Sequence, residues 1–346
     1  MSVSLHVKAW LAISCLFIEL VANIVVAPQS LASQIPLTAM PALVSQCPLQ
    51  DQLLSMDFEG RHRLCLVHLP KSYAGQQKLP LLICLHGGAA NFKTAVKTFG
   101  LNDEADKRSF IVAYPNGTSR FGHRLATWNS GGCCGYAYKE NINDVGFIRS
   151  LLGTLEQKYA VDSDHVYVVG FSNGAMLAYR LAYDLPGVFA GIGSVSGWMN
   201  GQQNALSRPV STFIVHGAVD KSVPVSGGSG KWSRYGIKLE ARPLDDTVQY
   251  WVKNNGCSPL PKITRDGALT RYVYSGGKNN TEVELCLIDG YGHAWPGGRK
   301  SWLFAARPYA LFSTNDALWE FFSKHSRQDA SLNAHKDEPL SQADVK

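Results

Sequence analysis

A chain of 346 residues, 45% hydrophobic and 17% charged, describes a globular protein that can bury a core without disulfide or metal staples. Its net charge of +6 comes from scattered basic residues. With no Lys/Arg run of four and no interleaving of basic and aromatic residues, a nucleic-acid face is not expected.

At the N-terminus, Lys8 precedes a mostly apolar run from Ala9 to Ala27, and Ser30-Leu31-Ala32 offers the small residues a signal peptidase accepts. Residues 1–32 therefore read as a signal peptide cleaved after Ala32, and the mature protein as secreted, periplasmic or extracellular. Glu19 interrupts the run and argues against a stable membrane span. One catalytic domain is expected over 33–325, followed by a polar, disordered tail over 326–346.

Strands are expected near 62–69, 80–86, 109–114, 165–170, 190–196, 211–216 and 283–288, with helices between them. Such alternation implies a mostly parallel sheet with helices on both faces. The apolar strand Leu81-Leu82-Ile83-Cys84-Leu85 runs into His86-Gly87-Gly88-Ala89-Ala90. Residues 116–143 read as a loop carrying Trp128, Cys133, Cys134, Tyr136 and Tyr138. A helix then opens at Asp144, with Phe147, Ile148, Leu151, Leu152, Leu155 and Tyr159 on one apolar stripe.

The next strand, His165-Val166-Tyr167-Val168-Val169, leads into Gly170-Phe171-Ser172-Asn173-Gly174 and then a helical apolar pattern that ends before Pro186. G-x-S-x-G between strand and helix is the nucleophile elbow, a sharp turn that lifts the serine Oγ above the sheet. Serine is a weak nucleophile at neutral pH, so the elbow requires a base, an orienting acid and an oxyanion hole. In this fold class the partners follow in the order Ser, Asp or Glu, His. Thr212-Phe213-Ile214-Val215 precedes His216-Gly217-Ala218-Val219-Asp220, and Val283 to Ile288 precedes the loop that carries Gly292-His293. Ser172 is thus assigned as nucleophile, His293 as general base and then acid, and Asp220 as the group fixing the His293 tautomer. Backbone N–H groups of Asn173 and of Gly88 or Ala89 are the candidate oxyanion hole. His86 and His216, each followed by glycine, read as loop-bracing groups. Asp245 and Asp246 read as the acidic start of a helix running to about Asn255.

A second loop, 225–243, holds Lys231, Trp232 and Tyr235, and a last helix covers Asp316 to Lys324. Trp128, Trp198 and Trp295 are candidates for lining a shallow substrate cleft, Trp295 because it stands two residues from His293. Core packing is the competing reading for each of the loop aromatics. Asn116-Gly117-Thr118 and Asn279-Asn280-Thr281 match the glycosylation sequon.

Without the leader seven cysteines remain, an odd number that leaves at least one thiol free. Cys84, central in an apolar strand, is the natural free thiol. Cys257 could pair with Cys286, and Cys47 with Cys65, while adjacent Cys133 and Cys134 could close a ring or pair elsewhere. No spacing of Cys or His suggests a metal site.

Four ordered motifs carry a family resemblance: Leu85-His86-Gly87-Gly88, Asp144-Val145-Gly146-Phe147, Gly170 to Met176 and Gly292-His293-Ala294-Trp295-Pro296-Gly297-Gly298. Over residues 50 to 325 the chain resembles polyhydroxybutyrate-depolymerase-type esterases, relatives of the feruloyl and acetyl-xylan esterases of carbohydrate esterase family one. The resemblance implies an α/β-hydrolase fold, no cofactor, and the same triad of Ser172, Asp220 and His293. It also implies a small-molecule or polysaccharide-linked ester as substrate. A monomer is expected. Depolymerases of this type often carry cysteine where Gly88 stands here, and usually append a polymer-binding domain for which this chain has no room. Both departures favour feruloyl or other plant-wall esters over solid polyester. A peptidase of the same fold and a non-catalytic esterase-like binding protein are the competing functions. The first normally brings a propeller or cap domain, and the second normally lacks the serine or histidine.

Overall fold

Apolar runs become central strands because their side chains can be buried on both faces of a sheet. The computed structural model describes residues 50–199, 206–229, 240–299 and 309–327. The strands in chain order are β1 (Asp51–Phe58), β2 (Arg61–His68), β3 (Leu79–Leu85), β4 (Ile111–Pro115), β5 (Val161–Phe171), β6 (Gly191–Val195) and β7 (Ser211–Gly217). They are followed by β8 (Gly228–Ser229), β9 (Glu240–Ala241), β10 (Lys262–Asp266), β11 (Leu269–Tyr274) and β12 (Val283–Ile288). The helices are α1 (Phe92–Phe99), α2 (Leu101–Arg108), α3 (Gly135–Lys139), α4 (Asp144–Lys158), α5 (Asn173–Asp184), α6 (Leu244–Asn255) and α7 (Thr314–Phe322).

Among the described residues one large sheet has the order β1-β2-β4-β3-β5-β6-β7-β12-β11-β10, and β8 pairs with β9 apart from it. From β4 to β12 in that order all neighbours are parallel, while β1, β2, β11 and β10 add antiparallel pairs at the two edges. This is the mostly parallel sheet expected from the alternating elements, and it agrees with the α/β-hydrolase fold that the resemblance implies. All the expected strands form, and β1, β8, β9, β10 and β11 are additional. Every residue of β10 is exposed, so it carries no apolar period for a sequence reading to find.

Side chains alternate across the sheet. Leu81, Ile83, Val166, Val168, Ile192 and Ile214 pack with residues of α4, α5 and α6, while Leu82, Cys84, Tyr167, Val169, Phe213 and Val215 pack with α1, α2 and α7. Asp245 and Asp246 stand in the first turn of α6, where they complement the helix dipole. The packed chain runs two residues beyond the expected end of the domain, because Arg327 donates its N–H to the Asp164 carbonyl and its Nη1 to that of Ser163. The expected signal segment, the rest of the tail, Cys47 and Lys231, Trp232 and Tyr235 lie outside the described residues. Among those described, no helix is long and apolar enough to cross a membrane.

The expected Cys257–Cys286 bridge is not present. Both are free buried thiols, as are Cys65 and Cys84. Cys257 belongs to the cluster on one face of the sheet and Cys286 to the cluster on the other, so the sheet itself separates them. The Asn116 sequon is closed as well, since the side chain is buried and accepts the Phe92 N–H at 3.0 Å.

A buried ion pair anchors the 116–143 loop. Asp144 follows the α4 N-cap Asn143 and turns its carboxylate inward, accepting from Arg63 Nη2 at 2.8 Å and from the Asn129 N–H at 2.8 Å. Burial pushes the Asp144 carboxyl up, and the Arg63 guanidinium beside it supplies the compensating charge. Removing one partner of a buried pair leaves the other charge uncompensated. Arg63→Ala is therefore expected to lose about 3–5 kcal/mol of stability in urea unfolding; a loss below ~1 kcal/mol would show that the pair contributes little.

Candidate active site

The turn between β5 and α5 holds Ser172 at φ 54°, ψ −118°, a conformation that costs an L residue on the order of 1–3 kcal/mol. Its backbone is held on both sides: the N–H donates to the Val195 carbonyl at 2.9 Å and the carbonyl accepts from Met176 N at 3.1 Å. The flanking glycines are required by contact. A Cβ on Gly170 would lie 2.2 Å from the Gly174 carbonyl, and one on Gly174 would lie 2.5 Å from the carbonyl oxygens of Leu85 and His86. The turn is thereby pressed against the end of β3 and the start of its loop.

Two further loops meet at the serine. His293, after β12, places Nε2 3.0 Å from Ser172 Oγ and Nδ1 2.7 Å from Asp220 Oδ2. Phe171 packs on the imidazole with ring centroids 4.9 Å apart. Asp220, after β7, is fixed in turn, its Oδ1 accepting the N–H groups of Ser222 at 2.8 Å and Val223 at 2.9 Å. Burial acts to raise this carboxyl, but the His293 hydrogen bond, the charges of His293 and His216 and the Val223 N–H together hold it below its usual value. Gly217 lets the two loops touch, since a Cβ there would lie 2.3 Å from the Tyr291 carbonyl oxygen.

The rival histidines brace loops. His86 is buried and its pKa falls to about 4 through that burial. As a neutral ring it donates from Nδ1 to the Gly87 carbonyl at 2.7 Å and accepts at Nε2 from the Gly117 N–H at 2.9 Å. His216 donates from Nε2 to the Val223 carbonyl at 2.8 Å, stiffening the Asp220 turn.

Gly88, Ala89 and Asn173 line the same cleft as Ser172 and His293. Asn173 is the first residue of α5, and N–H groups in a first helical turn have no partner within the helix. The structure thus brings together the serine, the imidazole, the carboxylate and the candidate oxyanion donors. Among the described residues, no group of three or more His, Cys, Asp or Glu side chains is arranged to hold a metal ion.

Residues 58–339 match the family model named Esterase. The chain belongs to the Esterase family. It is 29% identical over 252 residues to feruloyl esterase B of Piromyces equi, which covers 70% of this chain and 44% of that one. It is 24% identical over 218 residues to the poly(3-hydroxybutyrate) depolymerase of Ralstonia pickettii, covering 58% of this chain and 43% of that enzyme. The chain therefore spans less than half the length of these two relatives. Among solved structures, the acetyl xylan esterase of Aspergillus awamori superposes with a TM-score of 0.56 at 16% identity, over 79% of this chain and 99% of that one. At that identity the likeness concerns the fold.

Of the three tryptophans expected at the cleft, only Trp198 lines it, beside Met176 and Val223. Trp295 is 4% exposed, stacks on Phe99 at 4.2 Å between centroids and donates its indole N–H to Asn315 Oδ1 at 3.0 Å. Trp128 is fully buried, and its indole N–H donates to the His86 carbonyl at 2.9 Å. Both are packing residues, because each indole finds an apolar slot and a hydrogen-bond acceptor inside the core. The cleft wall is formed by Thr127 and Cys134 where Trp128 was expected.

The sequence reading missed the side chain of Asn173. Its amide grips the Trp128 peptide from both ends, accepting the N–H at 2.7 Å and donating to the carbonyl at 3.0 Å. One residue thus lines the cleft and ties the 116–143 loop to the elbow. The only local signal was a polar residue at a position that the sheet would bury.

Proposed function

We propose that this chain is a secreted serine carboxylic-ester hydrolase that works through a covalent acyl-enzyme. The observation that carries the reading is the unbroken line from Ser172 Oγ through His293 to Asp220, at 3.0 and 2.7 Å. With Asp220 ionised, His293 keeps its proton on Nδ1, and its Nε2 lone pair faces the serine hydroxyl. Nε2 takes the hydroxyl proton as Oγ attacks the ester carbonyl. The backbone N–H groups of Asn173 and of Gly88 or Ala89 receive the developing oxyanion. Nε2–H then protonates the leaving alcohol, and a water activated by the same nitrogen releases the acid and regenerates Ser172.

The substrate reading is a feruloyl-type ester of plant walls, supported by the feruloyl esterase relative and by an apolar cleft. Phe171, Met176, Trp198 and Val223 line it, and among the described residues His293 is the only ionisable lining side chain, Cys134 being bonded to Cys133. Such walls suit the flat face of a phenyl ring. Hydrolysis of 3-hydroxybutyrate oligomers is the second reading, favoured by the depolymerase relative, and acetyl-xylan esters a third. Export through the 1–32 leader, a Cys133–Cys134 disulfide and a monomeric enzyme belong to the same proposal. Measuring kcat/KM for methyl ferulate beside soluble 3-hydroxybutyrate oligomers, with Ser172→Ala as blank, tests it. Methyl ferulate is expected to lead by at least about tenfold, the discrimination that an apolar pocket can supply. The reverse order would make the protein an oligomer hydrolase.

A further inference from the structure

Next to the elbow, Cys133 and Cys134 bring their two sulfur atoms together. Cys133 is buried in a small cluster with Met176, Trp198, Val223 and Ala241, while Cys134 is half-buried against that cluster and lines the cleft. The backbone around the pair is tied at both cysteines. The Cys133 carbonyl accepts from Ser130 N at 2.6 Å, and the Cys134 N–H donates to the Trp128 carbonyl at 3.0 Å. That carbonyl is the one Asn173 Nδ2 also holds, so the pair, the 116–143 loop and the candidate oxyanion residue share one hydrogen-bonded junction.

We propose that Cys133 and Cys134 form a thiol–disulfide exchange site whose redox state sets the width of the substrate cleft. This rests on the esterase reading of the same cleft. A small dithiol is the reductant. Its thiolate attacks Cys134 Sγ, the sulfur facing the cleft, and forms a mixed disulfide while Cys133 leaves as thiolate. The second thiol of the reductant then displaces Cys134. Two electrons and two protons pass to the cysteines, and the reductant leaves as a cyclic disulfide. Bonded sulfurs stand about 2 Å apart, whereas separate thiols need van der Waals spacing, roughly 3.5–4 Å. Met176 and Trp198 pack the Cys133 side, so the added separation is taken up by Cys134 moving into the cleft. Bulky acyl groups lose room and acetyl groups do not. The buried thiols of Cys65, Cys84, Cys257 and Cys286 do not compete, since burial raises their pKa values and withholds the reactive thiolate.

The test pairs peptide-mapped alkylation with kinetics on the full chain. Without reductant, iodoacetamide added under denaturing conditions is expected to leave Cys133 and Cys134 unmodified. After native treatment with dithiothreitol both are modified. In the same reduced sample KM for methyl ferulate is expected to rise about tenfold, with kcat on p-nitrophenyl acetate within about twofold, and reoxidation restores the first values. Cys133→Ser with Cys134→Ser is expected to carry the reduced enzyme's selectivity and ignore dithiothreitol; should it not fold, the reversible change in the natural protein decides alone. Alkylation of either cysteine before reduction, an unchanged KM ratio, or the same dithiothreitol response in the double variant would overturn the proposal. If neither ester is hydrolysed and no fluorophosphonate adduct forms on Ser172, the esterase reading fails and the cleft-width claim falls with it. Exchange at the pair is still decided by mass in that case.

Discussion

Ser172→Ala is expected to lower kcat on p-nitrophenyl acetate by on the order of a million-fold and to abolish labelling by a fluorophosphonate. The size follows from the division of labour at the elbow. In the proposed mechanism Oγ, 3.0 Å from His293 Nε2, is the only atom of Ser172 that takes part in bond making. The serine backbone bonds to Val195 and Met176 are kept by alanine, as is the φ of 54°. Loss of activity should therefore come without loss of stability, and thermal unfolding of the variant should match the parent. Ser172→Gly makes a second, opposite comparison. Glycine relieves the left-handed turn and should raise stability by about 1 kcal/mol while being just as inactive. An inactive enzyme more stable than its parent would show that the turn is strained to present the hydroxyl. A drop in kcat of only tenfold in Ser172→Ala would mean that another group attacks the ester.

Asp220→Asn is expected to cost about ten-thousand-fold in kcat with little change in fold. Asparagine keeps an oxygen for the Ser222 and Val223 N–H groups that Asp220 Oδ1 accepts, so the turn stays closed. Its amide nitrogen would replace Oδ2, 2.7 Å from His293 Nδ1. An amide donates there, which pins the imidazole proton on Nε2, where it faces Ser172 and cannot accept the hydroxyl proton. Asp220 in the natural protein is held below the usual carboxylate range, so it stays ionised across neutral pH and its own titration should not shape the activity profile there. Steady-state kinetics and circular dichroism on the same preparation check both halves. Retention of a tenth of the activity would move the orienting role to another residue.

The candidate site was legible where its geometry depends on local backbone. Gly170 and Gly174 are contact requirements of one sharp turn, and the order of Ser172, Asp220 and His293 follows from loops at the ends of buried strands. Those strands announce themselves because burial on both faces demands unbroken apolar runs such as Leu81 to Leu85. β1 and β10 lie at the sheet edges, half or wholly exposed, and leave no such trace. α1 and α2 also went unread, split by Gly100 at φ 72° into two eight-residue pieces too short for a clear period.

Side-chain destinations divide the rest. By itself the sequence determined the order of buried strands, the serine turn and the residues that the loops could bring to it, because each follows from periodicity and backbone geometry within a few residues. Only the tertiary structure decided that Trp295 stacks on Phe99 and Trp128 binds His86. It also decided that Asn173 grips the Trp128 peptide, and that Cys257 and Cys286 stand on opposite faces of the sheet. The physical reason is common to all four: the partner lies tens of residues away in the chain or across a sheet, and only the packed core selects it.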